Sequence, residues 1–125
     1  MEDFVTYEIA KKLKEKGFNE GCYKYYENKT LKWANFPWLE TKYNSSSPHT
    51  TAAPTISQVL KWLREEKELH IEIYMCHNCY LYEIYNTKNY DADLSQKREK
   101  YSEIEYETYE KAVLDGIEYT LNNLI

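Results

Sequence analysis

The chain has 125 residues, a formal net charge of −5 and 14 tyrosines. This length suits one domain with a core of its own, so we predict a single domain over residues 1–125. The acidic balance argues against binding duplex nucleic acid, which depends on neutralising phosphates with Lys and Arg. No apolar run approaches the roughly 18 residues of a membrane span, and an odd number of cysteines, 3, is typical of a reducing compartment. We therefore expect a cytoplasmic protein without membrane contact.

A helix followed by a hairpin opens the predicted fold. We predict the helix over about 4–16, with Asp3 as its N-cap and Gly17 as the left-handed residue that ends it. Its apolar stripe consists of Val5, Ile9 and Leu13. Residues 22–26 and 30–34 then have the composition of two short strands, and the turn between them predicts a hairpin.

Residues from about 35 to 53 show no clear period and are predicted to form a long loop. Pro37, Pro48 and a run of Ser and Thr support that prediction. A loop of this length in a compact domain is either functional or mobile. Trp38 and Tyr43, near its start, are therefore candidate contacts for a ligand or a partner.

The clearest helix pattern begins after Pro54. Thr55 and Gln58 have the spacing of a capping box, in which each side chain bonds the backbone N–H of the other residue. The apolar stripe consists of Ile56, Val59, Leu60 and Leu63. This spacing predicts an amphipathic helix, with Arg64 on its solvated side.

The longest predicted hairpin covers residues 69–76 and 80–86, where apolar and polar side chains alternate. With His77 and Asn78 as a two-residue turn, residues whose numbers sum to 155 lie opposite each other. That register collects most apolar side chains on one face, as a sheet packed against a core requires.

The other face of this hairpin carries the main candidate binding residues. They are His70, Glu72, Tyr74, Glu83 and Tyr85. The register places Glu72 directly opposite Glu83, and like charges so placed repel unless a cation or water lies between them. Opposed carboxylates can hold a hard metal ion or exchange a proton, so a metal-dependent enzyme is one alternative. We favour the interpretation that this face is the solvated side of a two-layer sheet.

The tip of the hairpin reads Cys76-His77-Asn78-Cys79. These cysteines and the histidine are candidate zinc ligands, but a structural zinc site needs four ligands and usually combines two such pairs. Redox chemistry of the thioredoxin type would place the cysteines at a helix N-terminus instead. We therefore interpret the tip as a plain turn, and no metal or cofactor is predicted.

The C-terminal part is predicted as a polar loop over 87–100, a short strand over 103–107 and a final helix over 109–123. Thr108 is the expected N-cap of that helix. The apolar stripe consists of Ala112, Val113, Gly116, Ile117, Leu121 and Leu124. Since Gly116 costs a helix roughly 1 kcal/mol relative to Ala, its place in the stripe predicts a close approach of the helix to the sheet.

Several of these caps, turns and core positions together resemble a family of small uncharacterised proteins encoded by gut bacteria and their phages or mobile elements. The resembling residues are Gly17, Phe18, Cys22, Ala53, Pro54, Thr55, Gln58, Trp62, Leu63, Arg64, Thr108, Tyr109, Glu110, Lys111, Ala112, Gly116 and Ile117. The resemblance covers most of the chain. It implies a shared fold and a phage or mobile-element setting, in which an accessory or anti-defence role is expected.

The predicted fold class is a two-layer α+β domain of order α-β-β-α-β-β-β-α, with three helices and an antiparallel sheet of four to five strands. The glycines stand only at positions 17, 21 and 116, so no loop can cradle a phosphate. Since no Ser or Cys has a predictable His partner either, we predict that the protein is not an enzyme.

The leading functional hypothesis is binding through a Tyr-rich acidic surface. The partner is another protein or a second copy of the chain, paired through an exposed strand edge. The alternative is a protein that sequesters a small ligand such as a nucleotide signal, between residues 36–43 and the hairpin face.

Overall fold

A computed structural model describes residues 3–34, 41–88 and 106–125. The chain divides into two compact units, Met1–Ile56 and Ser57–Ile125. The described residues form three α-helices and five β-strands in two antiparallel sheets, which confirms the α+β class. The helices are α1 (Tyr7–Glu15), α2 (Ile56–Glu66) and α3 (Tyr109–Asn123), and the strands are β1 (Lys24–Glu27), β2 (Thr30–Trp33), β3 (Thr50–Ala52), β4 (Leu69–Cys76) and β5 (Cys79–Asn86). No helix in these ranges is long and apolar enough to cross a membrane.

The first unit contains a three-stranded antiparallel sheet with the strand order β2-β1-β3. The hairpin predicted over 22–34 is confirmed, with Glu27 opposite Thr30 and Asn28 at a positive φ of 59° in the turn. The third strand, β3, lies inside the stretch predicted as a long loop. A short 3-10 helix over Tyr43–Ser45 also lies there, whereas residues 35–40 fall outside the described part of the chain.

Helix α1 begins later than its apolar pattern predicts. Its N-cap is Thr6, whose hydroxyl accepts a hydrogen bond from the Ile9 N–H at 3.3 Å, so the assignment of Asp3 was wrong. The predicted end is confirmed. Gly17 has a φ of 94°, and the Phe18 N–H donates to the Leu13 carbonyl at 2.9 Å, as in a Schellman ending.

Polar side chains hold β3 in place. The Asn44 amide donates to the Phe18 carbonyl at 2.6 Å and accepts from the Ala52 N–H at 2.8 Å. Lys14 reaches from α1 and donates to the Thr50 carbonyl at 2.8 Å. These contacts satisfy backbone groups that a fourth strand would otherwise have to pair.

The second unit is built on the β4–β5 hairpin, whose predicted register is confirmed from Leu69 opposite Asn86 to Cys76 opposite Cys79. His77 and Asn78 form the turn with φ values of 53° and 67°. Positive φ at both central residues is the conformation of a type I′ turn, whose twist matches that of the flanking strands.

Helix α3 packs against the apolar face of this hairpin. A Cβ atom built on Gly116 would lie 3.1 Å from the Ile71 Cγ2 and 3.2 Å from the Tyr82 Cγ, which confirms the predicted close approach. The buried residues of α3 are Ala112, Val113, Gly116, Ile117, Thr120 and Leu121. The apolar face is not covered to its end, since Met75 near the tip is 61% exposed.

Two C-terminal predictions lie mostly outside the described residues. Of the strand predicted over 103–107, only residues 106 and 107 are described, and Tyr106 forms an antiparallel bridge with Tyr80. Residues 89–100 of the predicted polar loop are likewise not described. Thr108 caps α3 as predicted, since its hydroxyl accepts from the Lys111 N–H at 3.2 Å.

Candidate binding site on the hairpin face

A pocket of about 450 Å³ lies on the polar side of the β4–β5 hairpin. Its lining residues are Arg64, His70, Glu72, Tyr85 and Thr87. Three of them, His70, Glu72 and Tyr85, belong to the predicted candidate set. The volume falls within the range of small-molecule sites, about 300–1,000 Å³, and we refer to this site as the hairpin pocket.

Strand geometry places three of the lining side chains together. His70 and Glu72 are two positions apart on β4 and therefore point to the same side of the sheet. Tyr85 lies directly opposite His70 on β5. The two-residue repeat of β4 and the pairing of His70 with Tyr85 are thus sufficient to place these three side chains on one side of the pocket.

The other two lining residues depend on the turn that joins α2 to β4. Glu68, in that turn, has a φ of 58°, a conformation that reverses the chain from the helix into the strand. Its carbonyl accepts a hydrogen bond from the Thr87 N–H at 2.8 Å, which continues the pairing beyond Asn86. Arg64, in the last turn of α2, is therefore brought beside the polar face of the hairpin.

Each of the two opposed carboxylates has its own polar partner. The register confirms that Glu72 lies opposite Glu83. The Nε2 of His70 lies 3.5 Å from a carboxylate oxygen of Glu72, and the Tyr85 hydroxyl donates a hydrogen bond to Glu83. The hydrogen bond from Tyr85 disperses part of the Glu83 charge, so the repulsion expected between the two glutamates is reduced by a neighbour on the same face.

The pocket is open to solvent and carries both signs of charge. The side chains of His70 and Glu72 are 35% and 57% exposed. Among the five lining residues, Arg64 alone carries a permanent positive charge. Its guanidinium can bind a carboxylate or phosphate through two parallel hydrogen bonds, whereas Glu72 can only accept from a donor.

The remaining predicted site residues are placed elsewhere. Tyr74 is on the same hairpin, opposite the buried Leu81. Tyr43 belongs to the first unit, where it is buried and stacks on Tyr25 with ring centroids 4.4 Å apart. Trp38 lies outside the described residues. Of the described candidates, the pocket therefore unites His70, Glu72 and Tyr85, and its described lining includes neither Tyr74 nor Tyr43.

At the hairpin tip, the backbones of Cys76 and Cys79 lie opposite each other. His77 is exposed in the turn, and Cys79 is half-buried, while the Cys76 side chain lies outside the described part of the structure. Across the described residues, no group of three His, Cys, Asp or Glu side chains is arranged to hold a metal ion.

Sequence reasoning missed Arg64 and Thr87 as pocket residues. A signal for Thr87 exists, because continuing the register by one step places it opposite Glu68. No comparable signal exists for Arg64, since the direction in which a helix leaves a strand is decided by the turn between them.

The sequence matches no protein-family model, and comparisons with curated proteins and with solved structures also found no match.

Proposed function

We propose that this protein is a non-enzymatic binding protein that captures a small polar ligand in the hairpin pocket. The observation that supports the proposal is the convergence of a guanidinium, an imidazole, a carboxylate and an aromatic ring on one pocket of about 450 Å³. Concave sites with a few converging polar groups are the usual form of small-ligand sites.

The lining groups define the chemistry of the ligand. Arg64 suits a single carboxylate or phosphate group, and Glu72 suits an amine or hydroxyl donor. The ring of Tyr85 offers a flat surface for an aromatic or aliphatic body. A ligand with one anionic group and one donor fits this set, whereas a polyphosphate would meet the Glu72 carboxylate without a second permanent cation among the five described lining residues.

Binding is favoured over catalysis by the groups that the pocket contains. Its five described lining residues include neither Ser nor Cys, and the Tyr85 hydroxyl is already used as a donor to Glu83. The resemblance to proteins of phages and mobile elements supports sequestration of a small signal, such as a nucleoside monophosphate, as the biological setting that we propose.

The first test is native mass spectrometry of protein purified gently from its expression host. We expect a mass in excess of the chain mass that is reduced in Arg64→Gln and retained in Lys61→Gln, a matched change at an exposed position of the same helix. Calorimetry with AMP and with glutamate then separates a phosphate ligand from a carboxylate ligand. A chain mass without excess, together with no saturable heat from either probe, would contradict the proposal.

A further inference from the structure

The outer edge of β2 carries backbone groups that are directed away from its sheet. The Ala34 N–H donates to the Tyr23 carbonyl at 2.8 Å, which extends the β1–β2 ladder by one pair. In an antiparallel ladder every second pair is hydrogen-bonded. Thr30 and Lys32 therefore bond to β1, and the N–H and C=O groups of the residues between and after them point outward.

Those outward residues, Leu31 and Trp33, also carry exposed apolar side chains. Leu31 is 41% exposed and Trp33 is 60% exposed. Both share a sheet face with Tyr26, which is buried at 8% exposure and whose hydroxyl donates to the Val5 carbonyl at 2.7 Å. The layer that covers β1 on this face thus reaches β2 only at Trp33, whose ring contacts Phe4 and lies 4.1 Å from the Lys24 ammonium, and it leaves Leu31 and most of Trp33 exposed.

The opposite edge of the same sheet is closed. On β3 the outward groups belong to Thr50 and Ala52, and they bond to Ser47, Lys14 and Asn44. Natural sheets commonly block an edge in this way to prevent further pairing. Among the described strands of this sheet, the β3 edge is therefore blocked and the β2 edge is the one suited to add a strand.

We propose that two copies of this chain associate through antiparallel pairing of their β2 strands, with Lys32 on the two-fold axis. In this register Leu31 of each copy lies opposite Trp33 of the other. The outward N–H and C=O groups of both residues are then satisfied, and the apolar side chains meet on one face. A register centred on Leu31 would instead pair Trp33 with residue 29 in the turn, and one centred on Trp33 would pair Leu31 with residue 35, beyond the strand.

The charge on the other face weakens the pairing of the two β2 strands. Lys32 lies opposite its own copy, an arrangement that costs free energy between like charges. Each ammonium, however, lies 2.7 Å from the Glu27 carboxylate of its own chain. Across the axis the four groups follow the order Glu27, Lys32, Lys32, Glu27, in which each Glu27 partly neutralises the lysine of its own chain.

Disulfide trapping tests the register. Only a residue on the two-fold axis lies opposite itself, and a non-hydrogen-bonded pair has Cα atoms about 4.5 Å apart, which a disulfide can span. In a Cys76→Ser, Cys79→Ser background, we expect Lys32→Cys to form a linked dimer with oxidised glutathione. Thr30→Cys, on the same strand and face, should remain monomeric. Linking at Thr30→Cys, or at neither position, would overturn the proposal.

Sedimentation velocity over a concentration series tests the energetics without new cysteines. We expect a concentration-dependent dimer whose dissociation constant rises about tenfold or more in Leu31→Lys. In Lys32→Gln the dissociation constant should fall, because the like-charge pair is removed. Arg64→Gln, which alters the hairpin pocket alone, should leave it unchanged. Wild-type protein that remains monomeric at about 1 mM, where even a weak dimer forms, would contradict the inference.

Discussion

The two hairpins of this protein have turns of the same length but are stabilised in different ways. The β1–β2 hairpin has four-residue strands, and all of β2 is exposed. The β4–β5 hairpin has eight-residue strands and buries Leu69, Ile71, Leu81, Tyr82 and Ile84. The short hairpin is held by pairing with β3, which Asn44 and Lys14 bond in turn, and by the hydrogen bond from its own Tyr26 to Val5. The long hairpin is held by apolar packing against α3.

This difference shows how strand length decides what stabilises a hairpin. Eight residues per strand present an apolar face on one side and a mainly polar face on the other, where Leu81 is nevertheless buried. Four residues present at most two side chains per face, too few for a core of their own. The long hairpin therefore carries a pocket on its polar face, while the short one has backbone groups at Leu31 and Trp33 that are directed away from the described strands of its sheet.

The largest loss of stability is expected from a substitution on the apolar face of the long hairpin. Ile84 is fully buried, so Ile84→Ala removes packed methylenes and leaves a cavity. We expect a loss of about 3–4 kcal/mol in the free energy of unfolding, measured by urea denaturation. The exposed Met75 on the same face is the control, and Met75→Ala should change stability by less than about 0.5 kcal/mol. Equal losses at both positions would show that burial against α3 is not what stabilises the long hairpin.

A smaller loss is expected where polar contacts hold the short hairpin. Asn44→Ala removes both the donor to Phe18 and the acceptor for Ala52, and we expect a loss of about 2 kcal/mol by the same measurement. Asn44→Asp keeps an acceptor for Ala52 and should lose about half as much. The exposed neighbour Ser45 supplies the control, since Ser45→Ala should have little effect. If Asn44→Ala were neutral, the short hairpin would not depend on this amide.

The smallest loss of stability at neutral pH is expected from a substitution at Tyr26. Its contribution to stability is also expected to depend on pH. Burial, together with the nearby Glu8 carboxylate, raises the pKa of Tyr26 above its usual value of 10.0. A raised pKa favours the native state while the phenol is protonated, so this stability is complete below pH 10 and is lost as pH rises through the native pKa.

Tyr26→Phe should therefore cost about 1 kcal/mol at pH 7, from the lost hydrogen bond to Val5, and should flatten the decline in stability above pH 10. Urea denaturation between pH 7 and 11 measures both effects. The exposed Tyr109 provides the matched control, and Tyr109→Phe should keep the wild-type profile. A decline that is equally steep in Tyr26→Phe would place its origin elsewhere.

The sequence predicted the elements that depend on local periodicity and missed those that depend on distant partners. The register of β4 and β5 follows from their alternation and from a two-residue turn, so it could be predicted pair by pair. Strand β3 has only three residues and no pattern of its own. It is a strand because the free edge of β1 pairs with it, a contact that the sequence does not encode locally.

The start of α1 shows the same limit. Asp3 and Thr6 are both acceptable N-caps, and the apolar stripe continues back to Val5. In the structure the Val5 N–H donates to the Pro54 carbonyl, and the Ile56 N–H donates to the Asp3 carbonyl. These backbone pairs compete with the helix for residues 3–5, and the cap consequently moves to Thr6.

The sequence by itself determined the fold class, the long hairpin and its two faces, and hence the positions of His70, Glu72 and Tyr85. Tertiary structure alone decided that Arg64 joins them and that, among the described residues, polar contacts close the β3 edge of the first sheet while none pairs with the outer edge of β2. The physical reason is the range of the interactions. Side-chain alternation and turn conformation act between neighbours, whereas a pocket wall and a blocked edge require residues far apart in the chain to meet.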